Sequence, residues 1–246
     1  MVRGAMKPGQ RTLVLVFPAP GPVMSERSSN LEQAAKVVPG LGLVMKASQD
    51  KRDLEASQDL QRYLPPWQPA ALFYPGLMRA LAAGGLPGPL AAPAEAGLTD
   101  EDMRKLNYAQ DVSDWQLRYF VRGAGPEPPP RSYRRFPALA DDLVLEVNLA
   151  CGAPSDGEGD WTPELSGVLK LYQASDMALL WRHEETVNDP SGARSTVEFK
   201  RLPAELVARW QALMPQLAER LAASLRQSLQ QAGATLPAEA LPAGAR

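Results

Sequence analysis

Hydrophobic and polar positions alternate most regularly at the start of the segment from Asp141 to Leu229. Bulky apolar side chains recur at every second position there, which is the period of a β-strand. One predicted face holds Leu143, Leu145, Val147 and Leu149, and the other holds Val144, Glu146 and Asn148. The polar residues from Pro154 to Asp160 then predict a hairpin loop.

Two further strands are predicted next, from Gly167 to Tyr172 and from Ala178 to Glu184. The polar link from Gln173 to Asp176 is short, which favours an antiparallel hairpin.

The longest pattern in the chain has the period of an α-helix. Pro203 suits its first turn, Pro215 predicts a kink, and Gly233 ends it. Its apolar stripe consists of Leu206, Trp210, Leu213, Leu217, Leu221, Leu225 and Leu229. Such a stripe must be covered, most simply by the predicted sheet.

The front of the chain predicts one strand followed by shorter elements separated by proline and glycine. Arg11 to Phe17 is an uninterrupted apolar run after its first two residues, which indicates a strand covered on both faces. The later predicted elements are a helix from Ser29 or Asn30 to Val38, a strand from Leu41 to Lys46, a helix from Asp50 to Tyr63, a helix from Leu77 to Leu81 that Pro69 to Tyr74 leads into, a surface loop from Leu86 to Gly97, a helix from Thr99, and a strand from Trp115 to Val121.

These elements predict an α/β (α+β) protein with a mixed sheet that contains an antiparallel hairpin. Helices cover the sheet, including the long amphipathic helix near the carboxyl end. We expect a disordered leader over residues 1–10, one α/β domain over 11–232 with a long proline-rich insertion at about 19–137, and a disordered tail over 233–246.

Composition narrows the possible partners. The formal net charge is −2. We therefore do not expect the broad basic surface with which proteins bind nucleic acids or anionic membranes. No apolar run approaches the ~20 residues of a membrane-spanning helix. The first residues lack the apolar core of a signal peptide, which fits either a cytoplasmic protein or an exported one whose targeting segment lies upstream.

No cofactor or metal site is predicted. The carboxylates from Asp156 to Asp160 resemble part of a calcium loop, but the glycine and glutamate that complete such a loop are missing. Cys151 is the single cysteine and is interpreted as a small buried residue.

Two groups of aromatic and basic residues are candidates for partner binding. The first is Trp67, Phe73 and Tyr74 in a proline-rich setting, where anchoring in the core is the competing interpretation. The second is Tyr133 with Arg134 and Arg135, which form a small basic patch together with Arg131 and suit an anion or a protein partner.

An enzymatic alternative uses His183, the single histidine, with carboxylates such as Asp141, Asp142, Glu184 and Glu185. Paired carboxylates can divide acid and base roles when their environments separate their pKa values. A pocket that holds at least three of these groups would favour a hydrolase or small-ligand enzyme.

The order of elements also resembles a known type of domain. A strand from Thr12 to Pro18 precedes helices, and a strand introduced by aspartate follows from Asp141 to Val147. A hairpin then runs from Val168 to Trp181 and a helix closes the pattern. This arrangement is similar to the small α/β domain of envelope proteins of the curli-secretion lipoprotein type and of the amino-terminal domain of the Tol-system periplasmic protein.

The resemblance implies a non-enzymatic periplasmic protein, often anchored to the outer membrane by a lipid, that binds a protein partner or assembles an envelope system. It supplies no catalytic residue. The segment from Ala19 to Pro137 departs from it, because this segment is longer and richer in proline than the small domain requires. No lipid-attachment cysteine stands near Met1, so an anchor would have to lie upstream.

Overall fold

The computed structural model describes residues 10–19, 21–26, 41–84, 86, 88–107, 131, 133, 136, 139, 142–155 and 159–231. In these residues the strands are β1 (Thr12–Pro18), β2 (Val23–Glu26), β3 (Leu90–Ala91), β4 (Leu143–Ser155), β5 (Asp160–Trp161), β6 (Glu164–Gln173), β7 (Leu179–Asn188) and β8 (Arg194–Ser195). The α-helices are α1 (Leu41–Gln61), α2 (Pro69–Ala83), α3 (Asp100–Asn107), α4 (Thr196–Arg201) and α5 (Pro203–Gln231).

Strand β4 is the centre of the mixed sheet. On one side it pairs in parallel with β1, from Thr12 opposite Leu143 to Pro18 opposite Leu149, and β2 continues along the same side. On the other side β4 pairs with antiparallel β6, which forms a hairpin with β7. The short strand β3 extends the sheet beyond β1. The predicted α/β class, the mixed sheet and the antiparallel hairpin are therefore confirmed.

One face of the sheet is covered by α2 and α5. The apolar stripe that the sequence predicts on α5 is buried along its whole length, from Leu206 to Leu229. It packs in the same core as alternate residues of β4, such as Leu145 and Val147. The helix continues through Pro215, which lies on its exposed side.

A glycine allows α5 to lie close to the hairpin. A Cβ atom added at Gly167 of β6 would stand 2.9 Å from Leu221 Cδ1. This distance is shorter than van der Waals contact, so any larger residue would move the helix or the leucine.

The opposite face of β4 carries a buried polar cluster. Arg131 donates to the Glu146 carboxylate over 2.5 Å and to Asn148 Oδ1 over 2.7 Å, and both members of the ion pair are almost completely buried. The guanidinium also lies 3.9 Å from the centre of the Phe17 ring. Buried charges persist only when they are paired, so these contacts fix the segment at 131 to the sheet.

Two local predictions at the front of the chain were wrong. The predicted strand from Leu41 to Lys46 is the first part of α1, because no turn separates this short apolar run from the helical pattern after Asp50. The predicted loop from Leu86 to Gly97 contains β3 and a 3₁₀ turn over Ala94–Ala96. Helix α2 begins at Pro69, so it includes the residues expected to lead into it.

Other predictions lie outside the described residues. These are the helix ending at Val38, the strand from Trp115 to Val121, residues 1–9 of the leader and the tail over 233–246. Gln10 is described and is buried, and its amide donates to Gln173 Oε1 over 3.2 Å. The ordered sheet region therefore includes this last residue of the predicted leader.

Candidate functional site

A groove of about 1150 Å³ opens where β1 ends. Its walls come from the chain after β1, the connection between α1 and α2, the first turns of α2, and the first turn of α3. Residues of β4 and α5 contribute Leu149, Cys151 and Trp210. We name this feature the Trp67 groove, after the tryptophan in the α1–α2 connection.

Prolines determine the local backbone around Trp67. Pro65 and Pro66 follow the end of α1 and cannot continue it, because proline lacks the amide donor that a helix interior needs. Pro69 occupies the first turn of α2, where that donor is not required. Trp67 is therefore held on a short, stiff connection between two helices.

Trp67 is half-buried and stacks on Trp210 of α5. The two ring centroids are 5.5 Å apart and the planes are inclined by 15°. Trp210 is fully buried, and its indole Nε1 donates to the Gly152 carbonyl of β4 over 2.8 Å. The accessible ring of the groove thus rests on a ring that the sheet itself holds in place.

Tyr74 lines the groove one turn into α2. Its hydroxyl oxygen is buried and finds no hydrogen-bond partner among the residues that the structure describes. Burial, with a smaller contribution from the negative charge of Glu95, raises the pKa of Tyr74 to about 12. The group is therefore a neutral donor at physiological pH.

Among the residues that the structure describes, the charged ones that line the groove are Asp100 and Arg104, both in α3. Arg104 Nε donates to the Asp100 backbone carbonyl over 3.4 Å. Thr99 caps the start of this helix, since its Oγ1 accepts from the Asp102 amide over 3.1 Å. The rest of the lining is uncharged and includes Pro18, Pro22, Pro65, Pro66, Pro69 and Pro93.

The size and lining of the groove define what it can hold. Pockets for small ligands usually measure about 300–1,000 Å³, so the groove exceeds that range. Its described walls are more apolar than polar, with Gln61 and Gln68 among the polar residues, and they include an accessible aromatic ring, so the groove suits an extended and largely uncharged chain segment.

The described residues among those predicted for binding are not all brought together. Trp67 and Tyr74 share the groove, whereas Phe73 is buried in the core beneath α2. Tyr133 is buried on the other face of the sheet, and its hydroxyl donates to Glu146 Oε2 over 2.7 Å. Burial, followed by the negative charge of Glu146, raises the pKa of Tyr133 well above its usual value. Arg134 and Arg135 lie outside the described residues.

Among the described residues, the groups of the enzymatic alternative lie in two places: His183, Glu184 and Glu185 on β7, and Asp142 just before β4. His183 and Glu185 of β7 are 2.8 Å apart at Nε2 and Oε1, and Ser224 of α5 donates to the same carboxylate oxygen over 3.1 Å. Burial opposes ionisation of Glu185, but these two hydrogen bonds outweigh it and lower its pKa.

The remaining carboxylates of that alternative have other surroundings. Glu184 pairs with Arg182 at 3.7 Å, and Asp142 with Arg11 at 2.5 Å. Asp141 lies outside the described residues. None of these groups lines the Trp67 groove.

Sequence reasoning missed two parts of the groove. Trp210 was assigned only to the helical stripe, although a tryptophan among leucines at a helix start could have indicated a hydrogen-bonded anchor. Cys151 is buried, as the sequence predicts, and it also lines the groove. Burial strongly raises the pKa of its thiol, so it is a poor nucleophile.

Neither a metal centre nor a membrane span is found in the part of the chain that the structure describes. No three histidine, cysteine or acidic side chains there come close enough to share a metal ion. None of the helices there has a stretch that is long and apolar enough to cross a bilayer.

Comparison with known proteins gives matches among solved structures alone. No family profile matches the chain, and no curated protein matches its sequence. A Xanthomonas campestris protein of the family DUF330 is similar with 14% identity and a TM-score of 0.41, covering 95% of both chains. A lipoprotein from Neisseria meningitidis has 13% identity and a TM-score of 0.31, covering 81% of this chain and 96% of that one.

A third similar structure is the PelC dodecamer from Paraburkholderia phytofirmans. Its identity is 11% and its TM-score 0.29, with 88% of this chain and 91% of that chain covered. Similarities at these values establish neither a family nor an activity for this chain.

Removing the buried hydroxyl of Tyr133 and that of Tyr74 should change the free energy of unfolding differently. Tyr133→Phe should lower the free energy of unfolding by about 1.5–3 kcal/mol, because it removes a hydrogen bond to a buried carboxylate. Tyr74→Phe should leave the stability unchanged or raise it by up to about 1 kcal/mol, because it removes a buried hydroxyl without a partner. Urea unfolding followed by circular dichroism measures both, and equal losses would contradict the described contacts.

Proposed function

We propose that the protein is a non-enzymatic binding module of the bacterial envelope. Its Trp67 groove holds an extended, largely uncharged segment of a protein partner. The observation that carries the proposal is the accessible Trp67 ring, stacked on the buried Trp210 in a groove with proline-rich walls.

The kind of segment follows from the lining. Aromatic grooves bind proline-rich segments well, because a polyproline helix is already extended and loses little conformational entropy on binding. Charged residues of a partner would have to leave water for a surface whose described lining has Asp100 and Arg104 as its charged side chains. We therefore assign the groove to segments rich in proline and aliphatic residues.

The buried hydroxyl of Tyr74 supports the same assignment. This donor, which has no partner among the described residues, belongs to a side chain that lines the groove. Backbone carbonyls of a polyproline helix have no internal hydrogen bonds, so they are free to accept one.

The proposed envelope location is supported by the resemblance to curli-secretion lipoproteins and to the Tol-system domain. That resemblance implies a protein that acts by binding other proteins. A module of this type assembles or regulates an envelope machine by holding a segment of another component. A lipid anchor encoded upstream of Met1 would attach it to the outer membrane.

Binding is tested with a fluorescein-labelled peptide of about ten proline and leucine residues, followed by fluorescence anisotropy. Trp67→Ala should weaken binding at least tenfold, since a central tryptophan commonly contributes about 2 kcal/mol or more to an interface. Leu72→Ala is the matched control: Leu72 lies in α2, is half-exposed and does not line the groove. Equal affinity of both variants and the unmodified chain, with unchanged circular dichroism, would contradict the proposal.

The location is tested by fractionating bacteria that express the natural gene, including its upstream sequence. We expect the protein in the periplasmic or outer-membrane fraction. Recovery with the cytoplasmic proteins would contradict the envelope assignment and leave the groove's binding role to the peptide experiment.

A further inference from the structure

Strand β3 covers only the first part of the outer edge of β1. It pairs with Thr12 and Leu13, and the ladder between the two strands ends there. The next donor along β3, two residues after Ala91, would be Pro93, which has no N–H to offer to the Val14 carbonyl. Pro93 also has helical backbone angles, with φ −51° and ψ −44°, so the chain turns away from β1 into the 3₁₀ turn. No strand in the described part of the chain continues along this edge.

The backbone groups of Val16 point to this outer side. The Thr12 N–H donates outward to the Pro89 carbonyl over 2.9 Å, whereas the Ala19 N–H donates inward to the Leu149 carbonyl of β4 over 2.8 Å. Successive residues of a strand direct their backbone groups to opposite sides, so every second residue from Thr12 faces away from β4. Val16 is one of them, and none of the described residues forms a hydrogen bond with its N–H or its carbonyl.

This part of the edge lies in the Trp67 groove. Val16 lines the groove together with Pro93, where the chain leaves the ladder. The Val16 side chain belongs to the core against which Trp67 packs, whereas Phe17 belongs to the core on the other face, against which Met103 of α3 packs. A segment laid along Val16 would therefore place alternate side chains on the Trp67 side and on the Met103 side.

We propose that the partner segment adds a parallel strand to β1 at Val16 and so continues the ladder that Pro93 ends. This inference rests on the proposed function, because it describes how the Trp67 groove holds its segment. In a parallel pair, the residue that stands opposite Val16 points to the same face as Val16. The residue before it accepts from the Val16 N–H, and the residue after it donates to the Val16 carbonyl.

This pairing determines where the segment can contain proline. The residue opposite Val16 directs its own backbone groups away from β1, so it can be a proline whose ring lies on the Trp67 side. The residue after it must keep its N–H, so it cannot be proline. A sequence that alternates proline with aliphatic residues meets both conditions, whereas an unbroken run of prolines does not. A residue that precedes proline favours extended backbone, so the alternation also prepares the segment for the strand.

Replacing the N–H donors of the segment tests the pairing. Two fluorescein-labelled peptides alternate leucine and proline over about ten residues, and the second has an ester oxygen in place of each leucine N–H. Anisotropy with the full chain should show that the ester peptide binds about fivefold more weakly or worse, because it cannot donate to the Val16 carbonyl. Equal affinities would overturn the strand pairing. If Trp67→Ala still weakened both peptides, the proposed function would stand without it.

The Val16 amide gives a second readout in the natural chain, which needs no substitution. Nuclear magnetic resonance should show its proton signal moving downfield when the all-amide peptide saturates the groove, and its exchange with solvent slowing about tenfold or more. The Thr12 amide is the control, because it already donates to Pro89 and should stay unchanged. An unchanged Val16 amide at saturation would overturn the strand pairing alone. Absence of binding by either peptide would overturn both the pairing and the proposed function.

Discussion

Burial of the α5 stripe against the sheet is the interaction on which the rest of the structure depends. Each fully buried leucine contributes about 1.5–3 kcal/mol, and the stripe extends from Leu206 to Leu229 without an exposed member. The same contact covers the apolar face of β4 and β6 and fixes the position of α2 beside α5. Gly167 allows the helix to approach the hairpin at the middle of this contact.

Trp210 connects that scaffold to the Trp67 groove. It belongs to the buried stripe, its indole nitrogen donates to β4, and its ring supports Trp67. A binding surface on a connection between helices would ordinarily be mobile. Here the prolines on both sides of Trp67 and the stacked ring beneath it limit that freedom, which lowers the entropy lost on binding.

Much of the scaffold could be predicted from the chain, because its patterns are long and regular. The alternation after Asp142, the hairpin and the stripe on α5 all lie where their periodicity places them. Short apolar runs were less informative: the predicted strand from Leu41 to Lys46 was wrong because so short a run, which contains Gly42, fits a helix as well as a strand.

Only some residues of the Trp67 groove could be predicted from the sequence, because the groove is built from distant parts of the chain. Trp67 and Tyr74 are close in the chain, so their setting among prolines indicated a possible surface. Trp210 and the end of β1 lie beside Trp67 only after the chain has folded. No local sequence pattern predicts contacts between residues that are so far apart in the chain. Tyr133 is a predicted binding residue because of its basic neighbours in the sequence. In the structure its hydroxyl donates to Glu146, a buried carboxylate of β4 that the sequence around Tyr133 does not indicate. The division into one domain with a proline-rich insertion stays a prediction.

The most direct test of the groove follows the indole signals of the five tryptophans by nuclear magnetic resonance while a proline-rich peptide is added. We expect the Trp67 signal to shift in proportion to occupancy, the Trp210 signal to respond through the stacked rings, and the signal of buried Trp181 on β7 to stay unchanged. An unchanged Trp67 signal at peptide saturation, or a shift confined to Trp181, would contradict the claim that the scaffold presents Trp67 to a partner.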